Sequence, residues 1–248
     1  MAKNTFLEIL RLRLQKKSFS PKYAPWVVPT IGTTVVLILI ALFLFLKDLP
    51  SPANLGKPSS YPISTKILDR NDNLLYEIYD DQNRTPIKLD ELPDYLKKAT
   101  VSIEDKNFYT HHGFDTGGLI RAAYKTLTGQ RLEGGSTITQ QLVKVALLTP
   151  ERTLSRKVKE AILTIATEVL YSKNQILEMY LNHIPYGGTA YGIEAAAHRF
   201  FNKSAKDLSI AEATLLVGLP QAPSPYSPLC NPDSAKARQS LVLARMVE

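Results

Sequence analysis

Arg156-Lys-Val-Lys-Glu-Ala-Ile-Leu-Thr-Ile-Ala-Thr-Glu-Val-Leu-Tyr171 carries the periodicity that decides the fold class. Its apolar residues are Val158, Ala161, Ile162, Ile165, Ala166, Val169 and Leu170. They recur at i, i+3, i+4, i+7, i+8, i+11 and i+12, the broad stripe of an amphipathic helix. At 100° per residue Glu160 falls roughly opposite that stripe, with Arg156 one turn earlier on the same face. Downstream, Lys173 to His183 repeats the habit through Ile176, Leu177, Tyr180 and Leu181. Ser209-Ile-Ala-Glu212 is a capping box that starts a further helix. Pro220, Pro223, Pro225 and Pro228 then impose an extended, irregular stretch. Upstream, Ile67-Leu68 and Leu74-Leu75 flank Asp-Arg-Asn-Asp-Asn, which predicts a short β-hairpin. No internal repeat is present. The chain therefore reads as mainly α with a small β element.

Farther toward the N-terminus, Val27 to Leu46 contains no charged residue. Twenty helical residues span roughly 30 Å, the thickness of a bilayer core. The run is too long and too apolar for an ordinary core helix, and no small-x-small cleavage site follows Leu46. Lys3, Arg11, Arg13, Lys16, Lys17 and Lys22 precede it against one acid, Glu8, while Lys47 and Asp48 after it cancel. The positive-inside rule then places the N-terminus in the cytoplasm and the rest outside, with Trp26 as an interfacial aromatic. The expected organisation is a basic tail over 1–26, a transmembrane helix over 27–46, a Pro/Ser/Gly-rich spacer over 47–62 and one domain over 63–248. The chain is a single-pass membrane protein on this reading.

The formal charge of +7 owes much to the tail. A basic tail is a topology signal and a contact for anionic lipids. Nucleic acid is not an expected partner, because the exported part lacks aromatic-basic interleaving. A single cysteine, Cys230, excludes an internal disulfide, so packing alone must hold the domain.

Four segments hold residues that could carry chemistry. In Ser102-Ile-Glu104-Asp105-Lys-Asn-Phe108-Tyr-Thr-His111-His-Gly113, a carboxylate beside another acid and shielded by an aromatic suits general-base work. Taken alone, two solvated acids at a helix end read as well, and His111 has no second histidine at ligand spacing. Glu133-Gly-Gly-Ser136-Thr137-Ile-Thr-Gln-Gln141-Leu-Val-Lys144 is a loop feeding a helix N-terminus. That arrangement suits an anion such as phosphate or forms an ordinary N-cap, and it lacks the ending of a Walker loop. Arg152 to Glu160 holds Arg152, Arg156, Lys157 and Glu160. It is either a surface i,i+4 pair or a face lining a cleft whose cations, with Lys144, suit a diphosphate. Asn182 to Ala196, with Tyr186, Gly187, Gly188, Tyr191 and Gly192, is a shaped turn or a plain helix connection.

These segments, in this order, resemble the peptidoglycan glycosyltransferase family: the glycan-polymerising domain of class A penicillin-binding proteins and of monofunctional wall polymerases. The motifs E-D-x-x-F-x-x-H-x-G, G-G-S-T-x-T-Q-Q-x-x-K, R-K-x-x-E and Y-L-N-x-x-x-x-G stand at Glu104–Gly113, Gly134–Lys144, Arg156–Glu160 and Tyr180–Gly187. A fifth block runs from Leu208 through Glu212 to Gly218-Leu-Pro220, then Pro223 and Tyr226. The resemblance covers roughly residues 63–248, and five motifs in order leave little room for chance. Val145 departs from the asparagine that the family often carries after the lysine.

The resemblance implies a lysozyme-like, mostly helical fold and the polymerisation of lipid II, with inversion and release of the polyprenyl diphosphate. It implies Glu104 as general base and Glu160 as a second acid that assists the leaving group, orients a cation or positions substrate. Lys144 and Arg152 would contact the diphosphate, with Arg156, Lys157, Thr137 and Gln141 in the same binding set. Asp105, Phe108, His111 and Ser136 would support the cleft. Some family members respond to a divalent cation, Mg or Mn, although no metal site is legible here. Implied partners are lipid II, the growing glycan strand, membrane lipids and proteins of a cell-wall synthesis complex.

Two rivals have different signatures. A glycan hydrolase has no diphosphate to hold, and a scaffold would have lost Glu104 or Lys144. The last residues form an amphipathic run with no stop signal; in bifunctional family members a linker and a transpeptidase domain would follow at this point. Ser204-Ala-Lys206 and Ser234-Ala-Lys236 lack the S-x-x-K spacing, which predicts no acylation by penicillin within these residues.

Overall fold

A computed structural model of the chain describes residues 24–56, 63–71, 74–79, 81–115, 117–118, 135–151 and 153–248. They form two compact units, one ending at Leu49 and one running from Pro50 to Glu248.

In the first unit, helix α1 spans Ala24–Leu46. Its stretch Pro29–Leu46 has a mean hydropathy of 2.5 and is long and apolar enough to cross a membrane. The few polar side chains in it bond within the helix. Thr33 Oγ1 donates to the Pro29 carbonyl at 3.0 Å and Thr34 Oγ1 to that of Thr30 at 2.7 Å. No hydroxyl there needs water, as a lipid surrounding demands.

The second unit opens earlier than the sequence suggests. Pro52–Asn54 form a 3₁₀ turn, Leu55 is buried in the main core, and Tyr171 Oη donates to the Pro52 carbonyl at 3.1 Å. Part of the expected spacer thus packs on the domain. The expected hairpin follows as β1 (Thr65–Leu68) and β2 (Leu74–Ile78), antiparallel, with Ile67 opposite Tyr76. Asp69 starts its turn by accepting from the Asn71 amide at 2.7 Å, an Asx turn.

Among the described residues that follow, the helices are α2 (Asp94–Glu104), α3 (Ile138–Ala146), α4 (Leu154–Leu170), α5 (Lys173–His183), α6 (Ile193–Phe201), α7 (Ile210–Val217) and α8 (Pro232–Val247). Capping boxes start α3 at Thr137, α5 at Ser172 and α7, as expected, at Ser209. The turn after α5 is a small ribbon of β3 (Pro185–Gly187) and β4 (Ala190–Tyr191). Helix α2 packs against α7 and α8, and α3 packs against α4 and α5. One core joins Leu96, Phe108, Ile138, Leu142, Ile176, Leu177, Tyr180, Tyr186 and Leu216. Asn182 ties the chain before α2 to α5. Its Oδ1 accepts from the Ile87 amide at 2.9 Å and its Nδ2 donates to the Ile87 carbonyl at 2.8 Å.

The α4 stripe points the other way from a core face. Val158, Ile165, Val169 and Leu170 are exposed, whereas Glu160, Leu163, Thr164 and Thr167 are buried. The buried threonines return their hydroxyls to the carbonyls of Glu160 and Leu163 at 2.7 and 2.8 Å, so α4 packs through a face of small and polar groups. The pair between Arg156 and Glu160 is consequently not a surface pair.

Candidate active site

Glu104 is the last residue of α2, where the helix dipole disfavours a negative charge. Its side chain is 8% exposed. Gln141, in the first turn of α3, donates from Nε2 to Glu104 Oε2 at 2.8 Å. The Gln141 amide is itself fixed: Nε2 also reaches the Ser136 carbonyl at 3.4 Å, and Oε1 accepts from Tyr180 Oη at 3.3 Å. Glu104 Oε1 is buried and accepts no hydrogen bond. Among the described residues the nearest cation to it is Arg238 of α8, with Nη2 at 3.8 Å. Burial raises the Glu104 pKa above the ordinary carboxylate value. The Gln141 bond and the Arg238 charge oppose that rise, and the neighbouring Asp105 adds a little to it. The aromatic shield expected from sequence is thus a general desolvation, and the adjacent acid is the lesser cause.

Asp105 has a different task. Its carboxylate accepts from His111 Nε2 at 2.8 Å and from the Ile138 backbone amide at 3.1 Å. His111 Nδ1 accepts from the Gly113 amide at 3.1 Å, which leaves the proton of a neutral ring on Nε2. The Gly113 carbonyl accepts from Thr137 Oγ1 at 2.7 Å. Thr137 then caps α3 through the Gln140 amide. The residues of the first two motifs thus close a ring of hydrogen bonds around the start of α3. The helix N-terminus that sequence marks for an anion receives one from within the chain, Asp105.

Gly113 sits at φ +89°, and a Cβ there would meet Thr164 Cγ2 at 2.8 Å. Phe108 is fully buried, with the Lys173 ammonium 4.6 Å from its ring centre. Burial pushes the Asp105 pKa up while the His111 bond and the Ile138 amide pull it down.

Glu160 is buried on α4 and doubly paired: Arg156 Nη1 lies 3.4 Å from Oε2, and Lys157 Nζ bonds Oε1. Lys157 keeps half of its side chain in solvent. Lys144 is exposed near the end of α3, one turn along from Gln141 and so on the same side of that helix. Ser136 is exposed beside Thr137. Arg152 lies outside the described residues, as does Gly134 of the second motif.

The structure therefore joins Glu104, Gln141, Asp105, His111 and Thr137 in one network, and Glu160, Arg156 and Lys157 in a second on the neighbouring helix. Two of the residues assigned to diphosphate, Thr137 and Gln141, have their polar atoms engaged inside the first network. Sequence reasoning missed Arg238 and Tyr180. Tyr180 stands inside the fourth motif, but Arg238 lies beyond the fifth and carries no local spacing signal. For a divalent cation the donor set does not fit. Both oxygens of Glu160 and both of Asp105 already have partners, and no group of three or more metal-type ligands is gathered among the described residues.

Comparisons with known proteins place the chain in a family. The Transglycosylase family matches residues 71–247. The chain belongs to this family, which the five motifs resemble. It is 46% identical over 184 residues to penicillin-binding protein 1F of Bacillus subtilis (strain 168), covering 74% of this chain and 26% of that protein. It is 46% identical over 178 residues to penicillin-binding protein 1A of Escherichia coli (strain K12), covering 71% and 21%. The 1A protein of Aquifex aeolicus (strain VF5) is 42% identical over 219 residues, covering 86% and 30%. The chain thus spans between a fifth and a third of the length of these relatives. The crystal structure of penicillin-binding protein 1A from Haemophilus influenzae aligns with a TM-score of 0.39 and 24% identity, covering 75% of this chain and 18% of that one.

Proposed function

We propose that the chain is a membrane-anchored peptidoglycan glycosyltransferase that polymerises lipid II into β-1,4-linked glycan. The observation that carries this reading is Glu104. It is a buried carboxylate with one oxygen fixed by Gln141 and the other without a hydrogen bond, inside a chain of the transglycosylase family.

Glu104 Oε1 takes the proton of the acceptor sugar hydroxyl. The acceptor's hydroxyl oxygen bonds to the anomeric carbon of the donor from the face opposite the leaving group. The bond from that carbon to the lipid diphosphate breaks, its electron pair goes to the diphosphate, and the configuration inverts. A raised carboxylate pKa brings the base closer to working pH and so strengthens it. Negative charge grows on the diphosphate, and fixed cations are worth most where charge develops. Lys144, Arg156 and Lys157 supply them, with Arg152. Glu160, held between Arg156 and Lys157, orients those two side chains and is not itself the proton acceptor. No step runs through a divalent cation.

Residues 1–26 form the cytoplasmic tail, residues 27–46 of α1 span the membrane and the catalytic unit lies outside. A substrate with a polyprenyl tail lies in the bilayer, so the anchor keeps enzyme and substrate at one surface. Lipid II, the growing strand, membrane lipids and the proteins of a wall-synthesis complex are the partners on this reading.

The test is polymerisation of purified lipid II in liposomes by the full chain, with Glu104→Gln alongside. Long glycan made by the wild type and lost in the variant is the expected result. Cutting of preformed glycan without polymer formation would replace the polymerase by a hydrolase.

A further inference from the structure

The fifth sequence block, Leu208 to Tyr226, has no part in the chemistry above, yet it builds a seat for one side chain. Arg238 Nε donates to the Gly218 carbonyl at 3.3 Å. The guanidinium carbon lies 5.7 Å from the centre of the Tyr226 ring. A Cβ on Gly218 would stand 2.9 Å from Arg238 Cγ, so only glycine leaves room for the arginine stem. The side chain is 9% exposed, and the acid it faces is Glu104, at 3.8 Å. A buried guanidinium held by a carbonyl, a ring and a missing Cβ, and aimed at one carboxylate oxygen, is a built arrangement.

We propose that Arg238 is a positioning residue for the base: it keeps Glu104 ionised in its dry site while leaving Oε1 free to accept the sugar hydroxyl. The distance decides this division of labour. At 3.8 Å the pair is too long for a hydrogen bond, so the Oε1 lone pairs stay available. The electrostatic attraction falls only as the inverse of distance and is weakly screened where water is excluded. A closer arginine would occupy the lone pair that the reaction needs, and an absent one would leave the carboxylate protonated over more of the pH range. The inference rests on the proposed polymerase reading for its role in the reaction, but the coupling of Arg238 to Glu104 stands apart from it.

Glu104 is faced by Gln141 of α3, Tyr180 of α5, Tyr186 of β3, its neighbour Asp105 and Arg238 of α8. The pair Lys106 and Glu248, 3.5 Å apart, closes the same end of α2. Tyr180 and Tyr186 are held neutral by burial, with pKa values above the ordinary phenol. Among the described residues, Arg238 is then the cation that acts directly on Glu104.

The experiment is a pH titration of the full chain in detergent micelles, carrying carbon-13 in its glutamate carboxyls. The Glu104 signal is identified by its loss in Glu104→Gln. In Arg238→Met the midpoint of Glu104 is expected to rise by about one unit or more, a tenfold or greater loss of ionised base at a pH below both midpoints. Arg238→Lys, which keeps the charge, lies between that variant and wild type. Gly218→Ala, which displaces the stem without removing the cation, also raises the midpoint. The acid limb of kcat/KM for lipid II polymerisation moves with these midpoints, so the deficits shrink at high pH, whereas a merely structural loss lowers the rate at every pH. Folded Arg238→Met with an unchanged Glu104 midpoint overturns the proposal. A midpoint that moves in protein that makes no polymer even as wild type upholds the coupling and overturns the polymerase reading instead.

Discussion

Glu104 and Glu160 are both carboxylates withdrawn from water, and their surroundings are opposite. Glu160 lies within α4, and both of its oxygens meet cations from its own helix. Glu104 ends α2 and has one amide bond, one distant guanidinium and one oxygen with no hydrogen bond. A carboxylate saturated by cations is a poor proton acceptor but a good clamp, because it fixes the cations as firmly as they fix it. A carboxylate that burial has left under-paired is costly to the fold and is ready to take a proton. The contrast supports the proposed roles of base and clamp without reference to the order of residues along the chain.

The largest expected effect breaks the comparison at its base. Glu104→Gln keeps the shape and loses the proton acceptor. Polymerisation should fall about a thousandfold, within the usual range for a general base, while lipid II binding, read by co-sedimentation with liposomes, persists. In the wild type, the raised pKa of Glu104 should move the acid limb of kcat/KM above that of an ordinary glutamate. Activity is lost as pH falls through it, because the ionised form is the active one.

Glu160→Gln should lower the rate by a smaller factor, about ten- to a hundredfold, and leave that acid limb where it is. It removes a clamp and not the titrating group. A pH profile of the two variants side by side separates the roles, and an acid limb displaced by Glu160→Gln would reverse the assignment.

Stability sharpens the same contrast through its sign. A group whose pKa is raised by folding contributes stability fully present below its unfolded value and lost as pH rises through the folded value. Ionised Glu104 is therefore a burden near neutral pH, and Glu104→Gln should raise Tm there. The gain should shrink as pH falls through the raised folded pKa. Glu160→Gln should lower Tm instead, because it leaves Arg156 without its anion. The loss is about 1–3 kcal/mol, moderated by the solvent that already screens Lys157. Thermal melts of both variants at neutral and acid pH check the two signs.

Much of this was legible in the sequence, and the limits have physical causes. The hairpin, the helix from Lys173 and the cap at Ser209 follow from local rules that tertiary packing left intact. The pairing of Asp105 with His111 and of Thr137 with Gly113 was not legible. Those bonds join segments whose separation no periodic rule relates, although all four residues stand inside the motifs. Arg238 escaped for the same reason, since nothing in Ala235-Lys-Ala-Arg238 marks Arg238, and not Lys236, as the cation of that stretch that the fold turns inward.

Helix α4 shows a different limit. Periodicity reports that a stripe exists but not what covers it. Here the apolar stripe is exposed, and the covered face is Glu160, Leu163, Thr164 and Thr167. Two substitutions read the difference. Leu163→Ala empties a buried site and should cost about 2–5 kcal/mol. Val169→Ser, on the stripe that the sequence makes look like core, should change stability by less than about 0.5 kcal/mol, since an exposed side chain has little packing to lose. Both are measured by urea unfolding of the full chain in detergent. A large loss at Val169 would return the stripe to the core and move Glu160 with its two cations to the surface, where the clamp would be worth a few tenths of a kcal/mol. The small effect at Val169 is thus the strictest check on the burial that makes Glu160 a clamp.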